Sequence, residues 1–503
     1  MNNPIMYRFH IEGVVQGVGF RPFIYTACLQ KGLSGYVQNT GQGVVVVVDQ
    51  KEPLERILEN VPAGARIDGY SVQETNENVK GFSIYSSMGT GFVEIPPDLF
   101  LCDDCVAEMR DPKNRRKDYF FTTCTYCGPR YSITKNTPYD RKTTTMHDFD
   151  MCGACSKEYA NPINRRYHAQ TTACPECGPK LFFYENKSKQ STDSADALRR
   201  AIAVIQSNRV VAVKGVGGFH LVCTTNPIAV QRLRELTGRK HKPFALMCQD
   251  IPMVEKITHV SQQEKKILES VERPIVILSK KEPFSAVSEL DSLGVMLPYT
   301  GLHYLLFQQV KEPLVMTSAN LPNAPITTLQ QEQWVPFVLD HNRRIQNRVD
   351  DSIIKVVDQH PLFVRRSRGW VPQSIPLKGT KETILALGAE QNNVFAIYKN
   401  GRAILSPHVG NTSNPDTLSR FGNEVESFLA FTDTIPQIIL VDAHSGYATY
   451  SYGEKLASQL SVPLRKIYHH SAHAYSVAGE NNLEQFSAIV CDGMGLGEDG
   501  TIW

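Results

Sequence analysis

Residues 102–127 read CDDCVAEMRDPKNRRKDYFFTTCTYC, and residues 152–177 read CGACSKEYANPINRRYHAQTTACPEC. Cys102, Cys105, Cys124 and Cys127 return as Cys152, Cys155, Cys174 and Cys177, with every spacing preserved. Pro112, Asn114, Arg115 and Arg116 return as Pro162, Asn164, Arg165 and Arg166, and Gly128-Pro129 as Gly178-Pro179. Such a match implies a duplicated unit. A CxxC turn sets two thiolates on one side of a metal, and a second turn completes a tetrahedron. Four thiolates leave no open position, so two structural zinc sites are expected, each holding together segments too short to bury a core. Redox CxxC pairs are the alternative, and exchange of ligand pairs between the repeats stays open. His147 and His168 are read as ordinary polar residues rather than ligands. The paired arginines invite a nucleic-acid reading, but no aromatics interleave with them, and no nucleic-acid partner is expected.

Outward from this centre, 503 residues suffice for three or four domains. Lys+Arg (53) and Asp+Glu (51) nearly balance, so no global field argues for nucleic acid or membrane. No apolar run approaches the ~18 residues that span a bilayer, and the N-terminus lacks a cationic and apolar leader pattern. Eight of twelve cysteines lie in CxxC pairs, which favours metal over disulfides. A cytoplasmic protein is expected.

Before the repeats, Tyr7–Glu12 alternates as a strand, Pro22 marks a helix start and Gly32 its stop. Tyr36–Asn39 and Val44–Val48 read as a hairpin, followed by a helix near Leu54–Leu58 and a strand near Phe82–Ser86, a ferredoxin-like order. The glycines of Gly13-Val-Val-Gln16-Gly17-Val18-Gly19-Phe20-Arg21 let backbone N–H groups converge on an anion beside a helix N-terminus, and Arg21 adds a bidentate cation. GVVQGVGFR with the later GLSGYVQN resembles the acylphosphatase family. The resemblance implies that Arg21 and the loop Gln16–Phe20 hold a phosphate while Asn39 orients a water against an acyl-phosphate bond.

After the repeats, DSADALRRAIAVI (193–205) is an amphipathic helix, with Ser191 or Thr192 as its expected cap. The strand Val210–Val213 runs into Lys214-Gly-Val-Gly-Gly-Phe-His220, where a glycine turn and a cation suit a phosphate or planar ligand. With Lys242-Pro243-Phe-Ala-Leu-Met247, Leu297-Pro-Tyr-Thr300, Thr317-Ser-Ala-Asn320, Asn347–Ser352 and Arg365–Gly369, residues 191–378 resemble the YrdC-type domain. That resemblance implies ATP, with Mg2+, and an acyl-adenylate. It makes Lys214, Lys242, Ser318, Asn320, Arg343 and Arg366 the candidate contacts. The family's basic run before Lys242 is interrupted here by Leu236-Thr237-Gly238, and Gly301 replaces a usual proline.

From about Ile384 strands alternate with a helix near Asp416–Phe428 in an α/β pattern. His469 and His473 are spaced to clasp a metal from one helix face. Asp492 opens a glycine-rich turn after an expected strand Ala488–Val490, suited to a nucleotide or cation. This segment resembles the Kae-type carbamoyltransferase domain, with Asn392 and Asn411 where Lys and Asp are usual. That domain extends further in the family, so residues 383–503 are read as a partial domain whose transfer step is expected to fail.

The expected organisation is therefore an α+β acylphosphatase-like module (1–91), a tandem zinc unit (92–190), a YrdC-like α/β domain (191–378) and an incomplete actin-like ATPase-type domain (383–503). That order resembles the hydrogenase maturation carbamoyltransferase family, HypF. The resemblance implies carbamoyl phosphate and ATP as substrates and a HypE-type partner whose C-terminal cysteine takes the carbamoyl group, precursor of a cyanide ligand. A threonylcarbamoyl-adenylate-type tRNA-modification enzyme and a non-catalytic zinc scaffold are the rival readings.

Overall fold

A computed structural model describes residues 5–62, 64–89, 91, 93–321, 324 and 326–503. Two compact units emerge. One takes the chain up to Ala319 together with Ile326–Trp370, and the other takes Val371–Trp503 with Asn320.

In the first unit, β1 (Met6–Val14), α1 (Phe20–Gln30), β2 (Gly35–Thr40), β3 (Gly43–Val48), α2 (Lys51–Leu58), β4 (Arg66–Thr75) and β5 (Phe82–Met88) form a small module. The unbroken valine run explains the centre of its sheet. β3 is buried on both faces: Val44, Val46 and Val48 pack among α1 and α2, while Val45 and Val47 pack with Met6 and Tyr36. The sheet order is β4-β1-β3-β2-β5. This corrects the expected ferredoxin-like pattern in one respect. The strand that completes it is β4, antiparallel to β1, and the strand near Phe82 is a fifth, parallel to β2. β4 is a largely exposed edge strand whose polar sequence hides its period.

Each zinc repeat carries one short helix after its first cysteine, α3 (Asp103–Arg110) and α4 (Gly153–Ala160). Repeat 1 shares a core with the sheet that follows: Leu101, Met109, Phe120 and Phe121 pack with Leu302, Leu305, Leu306, Met316 and Leu339. Truncating Phe120 there would cost about 3–5 kcal/mol. Gly301, a departure from the family pattern, lies in this seam. A Cβ at Gly301 would sit 2.3 Å from the Phe120 carbonyl oxygen, so a glycine lets repeat 1 approach.

That sheet has eleven strands. From one edge the order is His360–Arg365, Ile353–Val357, Ile275–Ser279, Ser292–Met296, Ala245–Met247, Leu314–Ser318, Phe219–Thr224, Val211–Lys214, Phe337–His341, Leu181–Glu185, Ser188–Ser191. The helix expected over 193–205 is Ser194–Gln206, and Asp193 rather than Ser191 or Thr192 caps it, accepting from Asp196 N at 2.8 Å. Leu236-Thr237-Gly238 is a helix end: Gly238 takes a left-handed conformation (φ 65°), which turns Arg239 back toward Thr317.

In the second unit a six-stranded sheet runs Ile375–Pro376, Arg402–Leu405, Ala396–Lys399, Ile384–Ala386, Ile438–Asp442, Leu464–Ile467, with helices Pro415–Phe431, Ala448–Leu460 and His469–Glu480. The expected strand Ala488–Val490 is not formed. It pairs with no described strand, and Ile489 is 95% exposed, so its apolar pattern has no sheet to satisfy its backbone. No helix among the described residues is long and apolar enough to cross a membrane.

Candidate functional site

The four sulfurs of repeat 1 lie close together: Cys102–Cys124, Cys124–Cys127 and Cys105–Cys127 are each 3.7 Å apart. Repeat 2 gives 3.7, 3.8 and 3.6 Å for the equivalent pairs. A tetrahedron with zinc–sulfur bonds of about 2.3 Å has edges of about 3.8 Å, so both sets fit zinc. Each set draws only on its own repeat, which closes the question of exchanged ligand pairs.

The arginines are what cross over. Arg165 Nη2 donates to Cys102 Sγ (3.0 Å) and Cys105 Sγ (3.1 Å), while Arg115 Nη2 donates to Cys155 Sγ (3.2 Å). Arg116 bonds Glu158 and donates to the Ala173 carbonyl at 2.8 Å. Arg166 mirrors this, with Glu108 and the Thr123 carbonyl at 3.0 Å. Four thiolates on a dication would carry a net charge of about −2, which these crossed guanidinium groups would offset. The basic pairs of the sequence are thus turned inward. Burial would raise the Glu158 carboxyl, but Arg116 and Arg115 hold it down to about 2.

The zinc unit also walls the glycine loop. Gly17 and Gly19 take left-handed conformations (φ 74° and 76°), and a Cβ on Gly19 would meet Thr125 and Tyr126 of repeat 1 at 2.8 Å. Arg130 ties the two together: Nε donates to the Gly17 carbonyl (2.6 Å), Nη1 to that of Cys127 (2.9 Å) and Nη2 to that of Thr125 (2.8 Å). The cavity beside the loop is lined by Gln16, Gly17, Gly19, Arg21 and Asn39, and by Tyr139, His168 and Gln170 from the zinc unit. Phe20 also lines it while packing into the module's core, where Val18 packs as well. Asn39 is buried, and its Oδ1 has no hydrogen-bond partner. Arg21 donates to Ser87 Oγ (3.2 Å) and to Asp140 Oδ1 (2.8 Å). Burial and the Arg21 charge hold the His168 imidazole down, to about 4.

The cationic residues of the eleven-stranded sheet fall into two groups. Lys214 Nζ meets Asp340 Oδ1 (2.9 Å) and the His341 carbonyl (2.9 Å), and Arg343 donates to the Val216 carbonyl (2.9 Å). Both line a second cavity with Phe120, Thr122 and Gly128 of repeat 1. Burial lowers Lys214 and brings Arg343 down to about 10. Elsewhere, burial with Arg239 and Arg365 lowers Lys242, and Arg239 donates to Thr317 Oγ1 (2.8 Å) and toward the Ser318 carbonyl (3.5 Å). Arg365 is paired with Asp350 (2.5 Å). Arg239 and Arg365 were not singled out from sequence; a cation returning after a glycine helix end was the available signal. Arg366 follows Arg365 at the end of strand His360–Arg365, and Asn320, grouped with the second unit, donates to the Ala324 carbonyl at 2.6 Å.

In the second unit His469 Nε2 lies 3.3 Å from His473 Nε2 and 2.9 Å from Asp492 Oδ2. Asp442 Oδ2 engages His469 Nδ1 at 2.6 Å, the arrangement that fixes a ligand imidazole's tautomer. The three groups fit a cation, and Asp492 belongs with the histidine pair.

Comparisons with known proteins agree with this assembly. Residues 7–84 match the acylphosphatase family, 101–134 and 151–184 the HypF finger, 203–367 the Sua5/YciO/YrdC family described as telomere recombination, and 379–480 the HypF Kae1-like domain. The chain is 39% identical to a probable carbamoyltransferase HypF of Methanocaldococcus jannaschii and 40% identical to a carbamoyltransferase HypF of Synechocystis. The alignments cover 99% and 98% of this chain but 68% and 66% of those proteins, so the chain spans about two thirds of their length. A crystal structure of full-length HypF, described as phosphate- and nucleotide-bound, superposes with TM-score 0.94 at 37% identity, over 99% of this chain and 68% of that one. On the sequence identity, the domain matches and the shared fold, the chain belongs to the HypF carbamoyltransferase family.

Proposed function

We propose that this chain cleaves carbamoyl phosphate in the cavity between the glycine loop and the zinc unit, and passes carbamate to an ATP-dependent step in the eleven-stranded domain. The observation that carries the reading is the pairing of Arg21 and loop Gln16–Phe20 with the buried, unpartnered Asn39 Oδ1. That oxygen can accept from a water and turn its lone pair toward the acyl phosphate, giving carbamate and inorganic phosphate. The phosphate- and nucleotide-bound relative supports both halves of the reading. Carbamate with ATP then gives carbamoyl-adenylate and pyrophosphate. Lys242, Arg239, Arg365, Arg366 and Ser318 are the groups assigned to the triphosphate, with Mg2+ offsetting its charge. Lys214 and Arg343 are assigned to the carbamate side, in the cavity shared with repeat 1. Free carbamate decomposes in water, which favours enclosed sites.

Transfer of the carbamoyl group to the C-terminal cysteine thiolate of a HypE-type partner, with release of AMP, completes the reading. A metal at His469, His473 and Asp492 would serve this last step by orienting the bound group. The tRNA-modification alternative leaves the acylphosphatase-like module without a task, and the scaffold alternative leaves the buried cations of the middle domain unexplained.

Two assays test this. Phosphate release from carbamoyl phosphate should fall by on the order of a hundredfold or more in Arg21→Ala, as expected for loss of an electrostatic stabiliser. ATP–pyrophosphate exchange should depend on carbamoyl phosphate. Exchange without it, or release unaffected by Arg21→Ala, contradicts the proposal.

A further inference from the structure

Arg21 has both arms of its fork engaged, Nη1 by Ser87 Oγ and Nη2 by the Asp140 carboxylate. Both charged side chains are nearly buried, with 8% and 16% of their surfaces exposed. On the acyl-phosphate reading, a carboxylate therefore occupies the guanidinium that would hold the phosphate. Asp140 does not come from the glycine-loop module. It lies 119 residues further along, in the segment joining the two zinc repeats.

That segment is pinned on several sides. Tyr139 N donates to Gln16 Oε1 (2.8 Å), and Asn39 Nδ2 donates to the Tyr139 carbonyl (3.4 Å). Asp140 N donates to Thr143 Oγ1 (3.0 Å), Thr143 N returns to the Asp140 carbonyl (3.0 Å), and Arg141 N donates to Gln170 Oε1 (2.9 Å). With its backbone held this way, Asp140 can leave Arg21 by rotating its side chain, but it cannot leave the site. Phosphate on Arg21 would thus place a carboxylate beside the acyl end of the substrate. Two further polar atoms at this cavity are buried without hydrogen-bond partners, Asn39 Oδ1 and the Tyr139 hydroxyl.

We infer that Asp140 reads the acyl group: it yields Arg21 to the phosphate and accepts a hydrogen bond from the amide N–H of a carbamoyl phosphate. The inference rests on the acyl-phosphate reading given above. A carbamoyl group offers two N–H donors, one of which comes to lie against the carboxylate. An acetyl group offers a methyl, and the displaced carboxylate then stays buried near the phosphate with no donor. Sites built to hydrogen-bond a substrate N–H reject analogues that lack it for this reason. Arg21 and Asp140 are each other's counter-ions, so an acyl phosphate without the amide takes Arg21 but leaves the Asp140 carboxylate with no donor.

The test is steady-state phosphate release from carbamoyl phosphate and from acetyl phosphate by the 503-residue chain. Asp140→Ala should reduce the carbamoyl-over-acetyl ratio of kcat/KM by about tenfold or more. Within that ratio the KM for acetyl phosphate falls, because Arg21 is freed, while carbamoyl phosphate loses its acceptor. Asp140→Asn keeps an acceptor oxygen of the same shape and should retain most of the ratio. Two zinc per chain in each variant verifies that the wall is intact. An unchanged ratio, or equal losses on both substrates, overturns the inference. If Arg21→Ala abolishes release from both substrates while Asp140→Ala leaves the ratio alone, only the inference fails. If Arg21→Ala is silent, the acyl-phosphate reading fails and the inference with it.

Discussion

The two zinc repeats share ligand spacing, sulfur geometry and the exchange of arginines, yet they are used differently. Repeat 1 is sunk in the fold: Cys105, Cys124 and Cys127 are at most 1% exposed, and Arg130 runs from its second CxxC turn to the glycine loop. Cys102 and Cys152 are alike half-buried, but Cys177 of repeat 2 is half-buried where Cys127 is buried, and Lys180 stands in the position of Arg130. The residues Asp118 and His168 also correspond, both in left-handed conformations (φ 54° and 51°). Asp118 is half exposed to solvent, whereas His168 faces the cavity of Arg21. Duplication supplied a frame, and divergence at a few positions made one copy a clamp and the other a wall.

Ligand loss should separate the copies most strongly. Structural zinc contributes on the order of 10 kcal/mol to folding. Cys127→Ser should lose one zinc, most of the thermal stability and phosphate release together. Cys177→Ser should lose one zinc but unfold at a higher temperature than Cys127→Ser, and equal melting temperatures would break the ranking. The crossed arginines test what the copies share. Arg116→Ala and Arg166→Ala each remove one of the two arginines on a glutamate and leave it to Arg115 or Arg165, so urea unfolding should record losses of about 1.5–3 kcal/mol, closely matched between the two.

A smaller effect is expected at the clamp. Arg130→Met keeps the ligands but removes charge-assisted bonds worth about 1.5–3 kcal/mol each, so KM for carbamoyl phosphate should rise roughly tenfold at unchanged zinc content. The smallest effect concerns His168. Its imidazole ionises near 4 in the fold against 6.5 when unperturbed. The unfolded chain therefore binds more protons between these values, and this contribution to stability is present above 6.5 and lost as pH falls toward 4. Melting temperatures of His168→Asn across that window should decline less than those of the unaltered chain.

How much was legible depended on whether a signal was local. The cysteine spacing is covalent arithmetic, and the glycine loop with Arg21 is contiguous, so both were readable. The valine run gave β3, whereas β4, polar and on an edge, carries little periodic signal. The arginines at 115, 116, 165 and 166 were visible, but their crossing depends on how the repeats pack. Asp140 was missed altogether, because its partner lies 119 residues away and nothing in its own stretch suggests a phosphate site. Arg239 was hidden for a similar reason, since Gly238 redirects it. The strand expected at Ala488–Val490 shows the opposite failure, an apolar run with no neighbour to pair with.

The proposed function makes the zinc unit one wall of the acyl-phosphate site. It is tested most directly by stripping zinc from the chain with a chelator while following phosphate release from carbamoyl phosphate and counting zinc in the same samples. Release should fall with zinc, by on the order of tenfold or more at depletion, and recover when zinc is restored. Undiminished release from the zinc-free chain would contradict that role of the zinc unit.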